Sequence, residues 1–95
     1  MSELAYIEAT VYGHVKGVYY RAFTSQLAKS LGLRGYVRNS PQMNAVEITV
    51  EGPKEKLENL VTWAKSGPPL ARIENVKIDW QKETGEFSDF SVRFH

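Results

Sequence analysis

The sequence predicts an α+β fold in which an antiparallel sheet carries two helices on one face. Three observations lead there. Apolar and polar residues alternate with period two in several short runs. Two other runs space their apolar residues three and four apart. Glycine or proline punctuation separates the runs, in the order strand, helix, strand, strand, helix, strand, with an extra strand at the end.

Each element follows from its own residues. Ile7, Ala9 and Val11 alternate with Glu8, Thr10 and Tyr12, so Tyr6 to Tyr12 reads as a half-buried strand. A helix from Ala22 to Leu31 comes next, with Phe23, Leu27 and Leu31 expected on its core stripe, Ala28 beside them, and Gly32 as its stop. Arg34 to Arg38 is a short strand ending at Asn39, and Ser40-Pro41-Gln42-Met43-Asn44 is a turn. Val46, Ile48 and Val50 alternate with Glu47, Thr49 and Glu51, which predicts a strand with one buried and one wet face. Gly52 and Pro53 open the second helix, with the proline expected at its first position, and Leu57, Leu60, Val61 and Ala64 form its stripe. Gly67-Pro68-Pro69 breaks it. Val76, Ile78 and Trp80 mark a strand that begins near Arg72, and Lys82 to Gly85 a polar turn. Phe90, Val92 and Phe94 mark the last strand, while Trp63 and Trp80 are expected to pack. The sum is a βαββαβ ferredoxin-like α/β sandwich with a short C-terminal strand, residues 1–95 forming one domain.

Composition narrows the function. A net charge of +1 exerts no strong pull toward nucleic acid or an anionic membrane. The absence of cysteine removes disulfides, thiol catalysis and cysteine-ligated metal, and His14 and His95 are too few for a metal site. No apolar run approaches the ~20 residues of a membrane span, and Met1-Ser2-Glu3-Leu4 does not open a signal peptide. The expectation is a cytoplasmic monomer without cofactor, nucleic-acid partner or membrane.

Two stretches could carry chemistry. Gly13-His14-Val15-Lys16-Gly17-Val18-Tyr19-Tyr20-Arg21 joins a strand to a helix start. A glycine-bracketed loop of that kind can present backbone N–H groups and the helix dipole to an anion, or it can simply turn the chain. It lacks the Gly-Lys-Ser/Thr end of a nucleotide-binding loop. Arg21 is either a phosphate clamp or an ordinary solvated helix residue. Asn39 is either a turn residue or a neutral amide that positions a water. Arg38 points the opposite way on its strand. The acidic residues mostly alternate with apolar ones and form no paired acid and base. Tyr12 and Tyr36 could share the open sheet face and stack nucleobases, but the glycine-aromatic RNA signature is missing.

Taken together, Gly13 to Arg21 and Gly35-Tyr36-Val37-Arg38-Asn39 resemble the paired signatures of the acylphosphatase family. Gly67-Pro68-Pro69-Leu70-Ala71-Arg72 and Gly85-Glu86-Phe87-Ser88-Asp89-Phe90 resemble its next segments, in the right order over nearly the whole chain. The resemblance implies hydrolysis of a small acyl phosphate to a carboxylate and inorganic phosphate, without metal, nucleotide or phosphoenzyme. It implies that backbone N–H groups of His14, Val15, Lys16, Gly17, Val18 and Tyr19 hold phosphate with Arg21, and that Asn39 positions water. Alternatives are a carbamoyl-phosphate hydrolase and a non-catalytic phosphate-binding module. The chain departs from the family pattern at Lys16, where Gln is usual, and at Tyr20, where Phe or Met is usual and whose hydroxyl needs a partner. Met43 stands where the hairpin expects glycine, with one extra residue, so Asn44 is expected in the left-handed conformation. His95 is expected near Arg21.

Overall fold

A computed structural model of the chain describes residues 3–94. His95, and with it the expected approach to Arg21, lies outside them. Strand β1 (Leu4–His14) has a neighbour on both sides: β3 (Ala45–Pro53) and β4 (Arg72–Gln81), each antiparallel to it. Strand β2 (Arg34–Asn39) pairs antiparallel with β3, and β5 (Phe90–Arg93) pairs with β2, giving the order β4-β1-β3-β2-β5. Helices α1 (Tyr20–Ser30) and α2 (Lys54–Ser66) cover one face, α1 over β2 and β5, α2 over β1, β3 and β4. This is the ferredoxin-like arrangement with a fifth strand. Among the described residues no helix is long and apolar enough to cross a membrane.

The core follows the period-two pattern. Ile7, Ala9 and Val11 stand opposite Val50, Ile48 and Val46, and all six are buried beneath the helices. On the other flank Ile78 and Val76 stand opposite Ala9 and Val11. Trp80, at the outer end of this edge strand, is 42% exposed and does not pack as expected. Trp63 does, with its ring centroid 5.2 Å from that of Tyr20.

Four further expectations need correction. The sheet is mixed, because β5 runs parallel to β2. Alternation reports which face of a strand is buried, not which neighbour it pairs with. The stripe of α1 is rotated by one position: Tyr20, Thr24 and Ala28 face the core, while Leu27 and Leu31 lie at its margin and Phe23 is exposed. Threonine can take that place because its hydroxyl donates back to the Tyr20 carbonyl at 2.8 Å. Pro53 sits just before the first turn of α2, at ψ 132°, rather than inside it.

The fourth correction concerns Glu51, which is fully buried on the supposedly wet face of β3. The 82–89 connection carries the chain back over that face. The N–H of Thr84, its hydroxyl and the N–H of Gly85 donate to Glu51 Oε1 at 3.0, 2.9 and 3.2 Å, and the Phe87 N–H to Oε2 at 3.5 Å. Burial alone would raise this carboxyl. The hydrogen bonds outweigh it and hold the group below its ordinary value.

Candidate active site

Strand directions determine what meets at one edge. Strands β1 and β2 are both antiparallel to β3, and β5 is parallel to β2, so β1, β2 and β5 all run the same way. Their C-terminal ends, His14, Asn39 and Arg93, therefore lie along one rim of the sheet, where the chain leaves β1 to begin α1.

The loop from β1 to α1 starts at an irregularity. The β1–β4 register slips between Tyr12 and Gly13, which bends the strand end. Gly13 sits at φ 136°, and a Cβ there would run into the Arg72 carbonyl oxygen, so no side chain fits. Gly17 has open space around it but holds φ 72°, a conformation L-residues rarely take. Tyr19, at φ 62° and ψ 21°, also adopts the left-handed conformation, immediately before the first turn of α1. It is the only non-glycine residue at positive φ among the described residues. Asn44 is not left-handed, contrary to expectation. The extra hairpin residue is absorbed by an open bend held from outside. Ser40 N–H donates to Ala45 O at 2.9 Å, Gly13 N–H to Asn44 O at 3.1 Å, and Lys16 Nζ to Ser40 O at 2.7 Å. Lys16 thus ties the loop to the residue that follows Asn39.

His14 stands in the ladder opposite Arg72, and the Val15 N–H donates to Gly13 O at 3.1 Å. From Lys16 to Tyr19 the N–H groups have no hydrogen-bond acceptor among the described residues. Successive free donors beside a helix start are of the kind that bind anions, and of these four residues Gly17 and Tyr19 line the same pocket as Arg21 and Asn39.

Arg21, one residue into α1, is held from the C-terminal end. Its guanidinium donates to Arg93 O at 3.2 Å and lies 4.9 Å from the Phe94 ring centroid. Asn39 follows Val37 by two residues on β2, so its side chain points to the helix-covered face, whereas Arg38 pairs with Glu47 at 2.6 Å on the other. The Asn39 Oδ1 is buried and no group donates to it. A pocket of about 480 Å³ brings these parts together, lined by Gly17, Tyr19, Arg21, Asn39, Val92 and Phe94 among others. Residues 18 positions apart in the chain thereby share one cavity. Val92 and Phe94 carry no signal of a site in the sequence. Their alternation marks a strand, but nothing in it indicates which edge that strand joins.

Two further features of the site are accounted for. The Tyr20 hydroxyl finds its partner in Ala64 O at 2.9 Å. That carbonyl would ordinarily accept from residue 68, but Pro68 has no N–H. Burial pushes the Tyr20 phenol well above its ordinary value, so it remains a donor. Tyr36 is not a free stacking platform: the Arg93 guanidinium lies 3.8 Å from its ring centroid and Phe87 meets it edge-on at 5.9 Å. No cluster of three or more potential metal ligands occurs among the described residues.

Comparison with known proteins shows the family and agrees with the fold. The family model described as acylphosphatase matches residues 7–92. The chain belongs to the acylphosphatase family. It is 42% identical over 80 residues to the acylphosphatase of Pyrobaculum islandicum, covering 84% of each chain. It is 45% identical over 84 residues to that of Pelotomaculum thermopropionicum, covering 88% of this chain and 90% of the relative. The crystal structure of acylphosphatase from Bacillus subtilis superposes with a TM-score of 0.87 at 30% identity, over 96% of this chain and 99% of that one.

Proposed function

We propose that this acylphosphatase-family chain hydrolyses acyl phosphates at the pocket between the 16–19 loop, Arg21 and Asn39. The observation that carries the reading is the buried, undonated Asn39 Oδ1, in a pocket it shares with Arg21 and with Gly17 and Tyr19, two of the four successive residues whose N–H groups find no acceptor among the described residues. The N–H groups of Lys16, Gly17, Val18 and Tyr19 take the phosphate oxygens, and the Arg21 guanidinium balances their charge. Asn39 Oδ1 accepts a hydrogen bond from a water and aims its oxygen at phosphorus.

As the water oxygen bonds to phosphorus, the bond from phosphorus to the acyl oxygen breaks and the carboxylate leaves. One water proton passes to the phosphate. An acyl phosphate dianion and water thus yield a carboxylate and dihydrogen phosphate, balanced in atoms and charge. No side chain need act as base, because the mixed anhydride supplies a good leaving group and the protein supplies position and charge stabilisation. The parts come from one chain, so a monomer suffices.

The test is phosphate release from acetyl phosphate with a chelator present. Wild type turns over, and Arg21→Ala and Asn39→Ala each lose at least ~100-fold in kcat/KM. Saturable phosphate binding without turnover would make the chain a binding module instead. Loss of activity on chelation would contradict the metal-free mechanism.

A further inference from the structure

We propose that the acyl group of the substrate lies along a groove on the first two turns of α1, and that this groove selects unbranched aliphatic acyl phosphates over anionic ones. The inference rests on the reading of the neighbouring pocket as the phosphate site. With phosphate fixed against the 16–19 loop and Arg21, the rest of the substrate must leave through the mouth of that pocket. Tyr19, Ala22 and Phe94 are among the residues that line the pocket. A second cavity of about 340 Å³ shares Tyr19 and Ala22 with the first and continues to Phe23 and Gln26. Ala22, Phe23 and Gln26 lie on one face of α1, and the shared Tyr19 and Ala22 join the two cavities into one groove.

Its chemistry is apolar. Tyr19, Phe23 and Phe94 are 73%, 44% and 75% exposed, Tyr19 lining both cavities, Phe94 the first and Phe23 the second. Phe23 could have turned to the core, but Thr24 and Ala28 occupy the buried stripe and Phe23 is left facing the groove. No lysine or arginine other than Arg21 lines either cavity, and Arg21 is engaged by Arg93 O and, on this reading, by phosphate. A second carboxylate on the acyl group would lose hydration there and gain no cation.

Acetyl, butanoyl and hexanoyl phosphates test this, because their parent acids are of nearly equal acidity and the leaving group stays constant. With each added methylene about half buried, kcat/KM should rise about twofold per methylene and about fifteenfold over the four methylenes from acetyl to hexanoyl. Succinoyl phosphate should fall below butanoyl phosphate. Phe23→Ser should cut the hexanoyl-to-acetyl ratio at least threefold, and Gln26→Leu, at the far end, should raise it about twofold. Both positions are exposed, and a thermal melt confirms folding of each variant. A ratio near one in wild type, with acetyl phosphate still hydrolysed, would overturn the groove and leave the hydrolase reading standing. Ratios unmoved by both substitutions would do the same. Failure to hydrolyse any of the three would overturn both.

Discussion

Replacing Asn39 by alanine separates function from structure at one position. In the folded protein the Asn39 Oδ1 is buried and accepts no hydrogen bond from the chain. A water in the half-open pocket can serve that acceptor, so removing the amide costs the fold no hydrogen bond within the chain, and little packing is lost with it. The net change should stay within about 1 kcal/mol of zero, which for a chain of this length is a shift in Tm of no more than about 4–8 °C. Activity should fall steeply, with kcat/KM down at least ~100-fold because the attacking water loses its guide. Urea unfolding of wild type and variant, with initial rates on acetyl phosphate, measures both. An ordinary turn residue would behave oppositely: stability would fall by about 0.5–1.5 kcal/mol with its lost hydrogen bond, and activity would change only in step. A destabilisation above 1 kcal/mol, or activity kept within tenfold, would refute the reasoning.

Tyr20→Phe should cost about 1–2 kcal/mol in urea unfolding, because the buried Ala64 carbonyl loses its donor and Pro68 cannot replace it. Tyr19→Val should destabilise by about 1–2 kcal/mol despite the exposure of Tyr19, since a β-branched residue tolerates φ 62° poorly, whereas Tyr19→Gly should not. The lowered Glu51 carboxyl contributes stability that is complete above about pH 5 and is lost as pH falls through its folded value. Glu51→Gln should flatten that acid limb of the stability profile while lowering the plateau at neutral pH. Lys16→Met should lower kcat/KM about tenfold with smaller loss of stability, because the 2.7 Å tie between the loop and Ser40 aligns the two halves of the pocket.

Local pattern was enough for most elements. Ile7, Ala9 and Val11 announce their strand because a half-buried strand has no other way to be written, and Gly67-Pro68-Pro69 can hardly continue a helix. What the pattern could not convey was contact between elements distant in the chain. Phe23 is more hydrophobic than Thr24, yet Thr24 is buried, because α1 lies over β2 and β5 with its Tyr20–Ala28 stripe inward. Glu51 looks like a wet-face acid until the 82–89 connection returns across it and its N–H groups donate to the carboxylate. Hairpin length points to a left-handed residue at Asn44, yet the left-handed residue stands at Tyr19, where the loop turns into α1.

The pocket shows why the two halves of the site differ in how readily they are read. Gly13 to Arg21 is contiguous, so its glycines, the helix start and the arginine can be weighed together on one line of sequence. Asn39 becomes its neighbour only because β3 intervenes between β1 and β2 and sets them running in the same direction, so that both strands end on one rim. Phe94 joins them for the same reason through the parallel pairing of β5 with β2, the one pairing alternation could not supply. A wall built by strand direction leaves no periodic trace. Changes in the 82–89 connection, which places β5 and through it Arg93 and Phe94 against Arg21, should therefore reach the pocket without touching any residue that lines it.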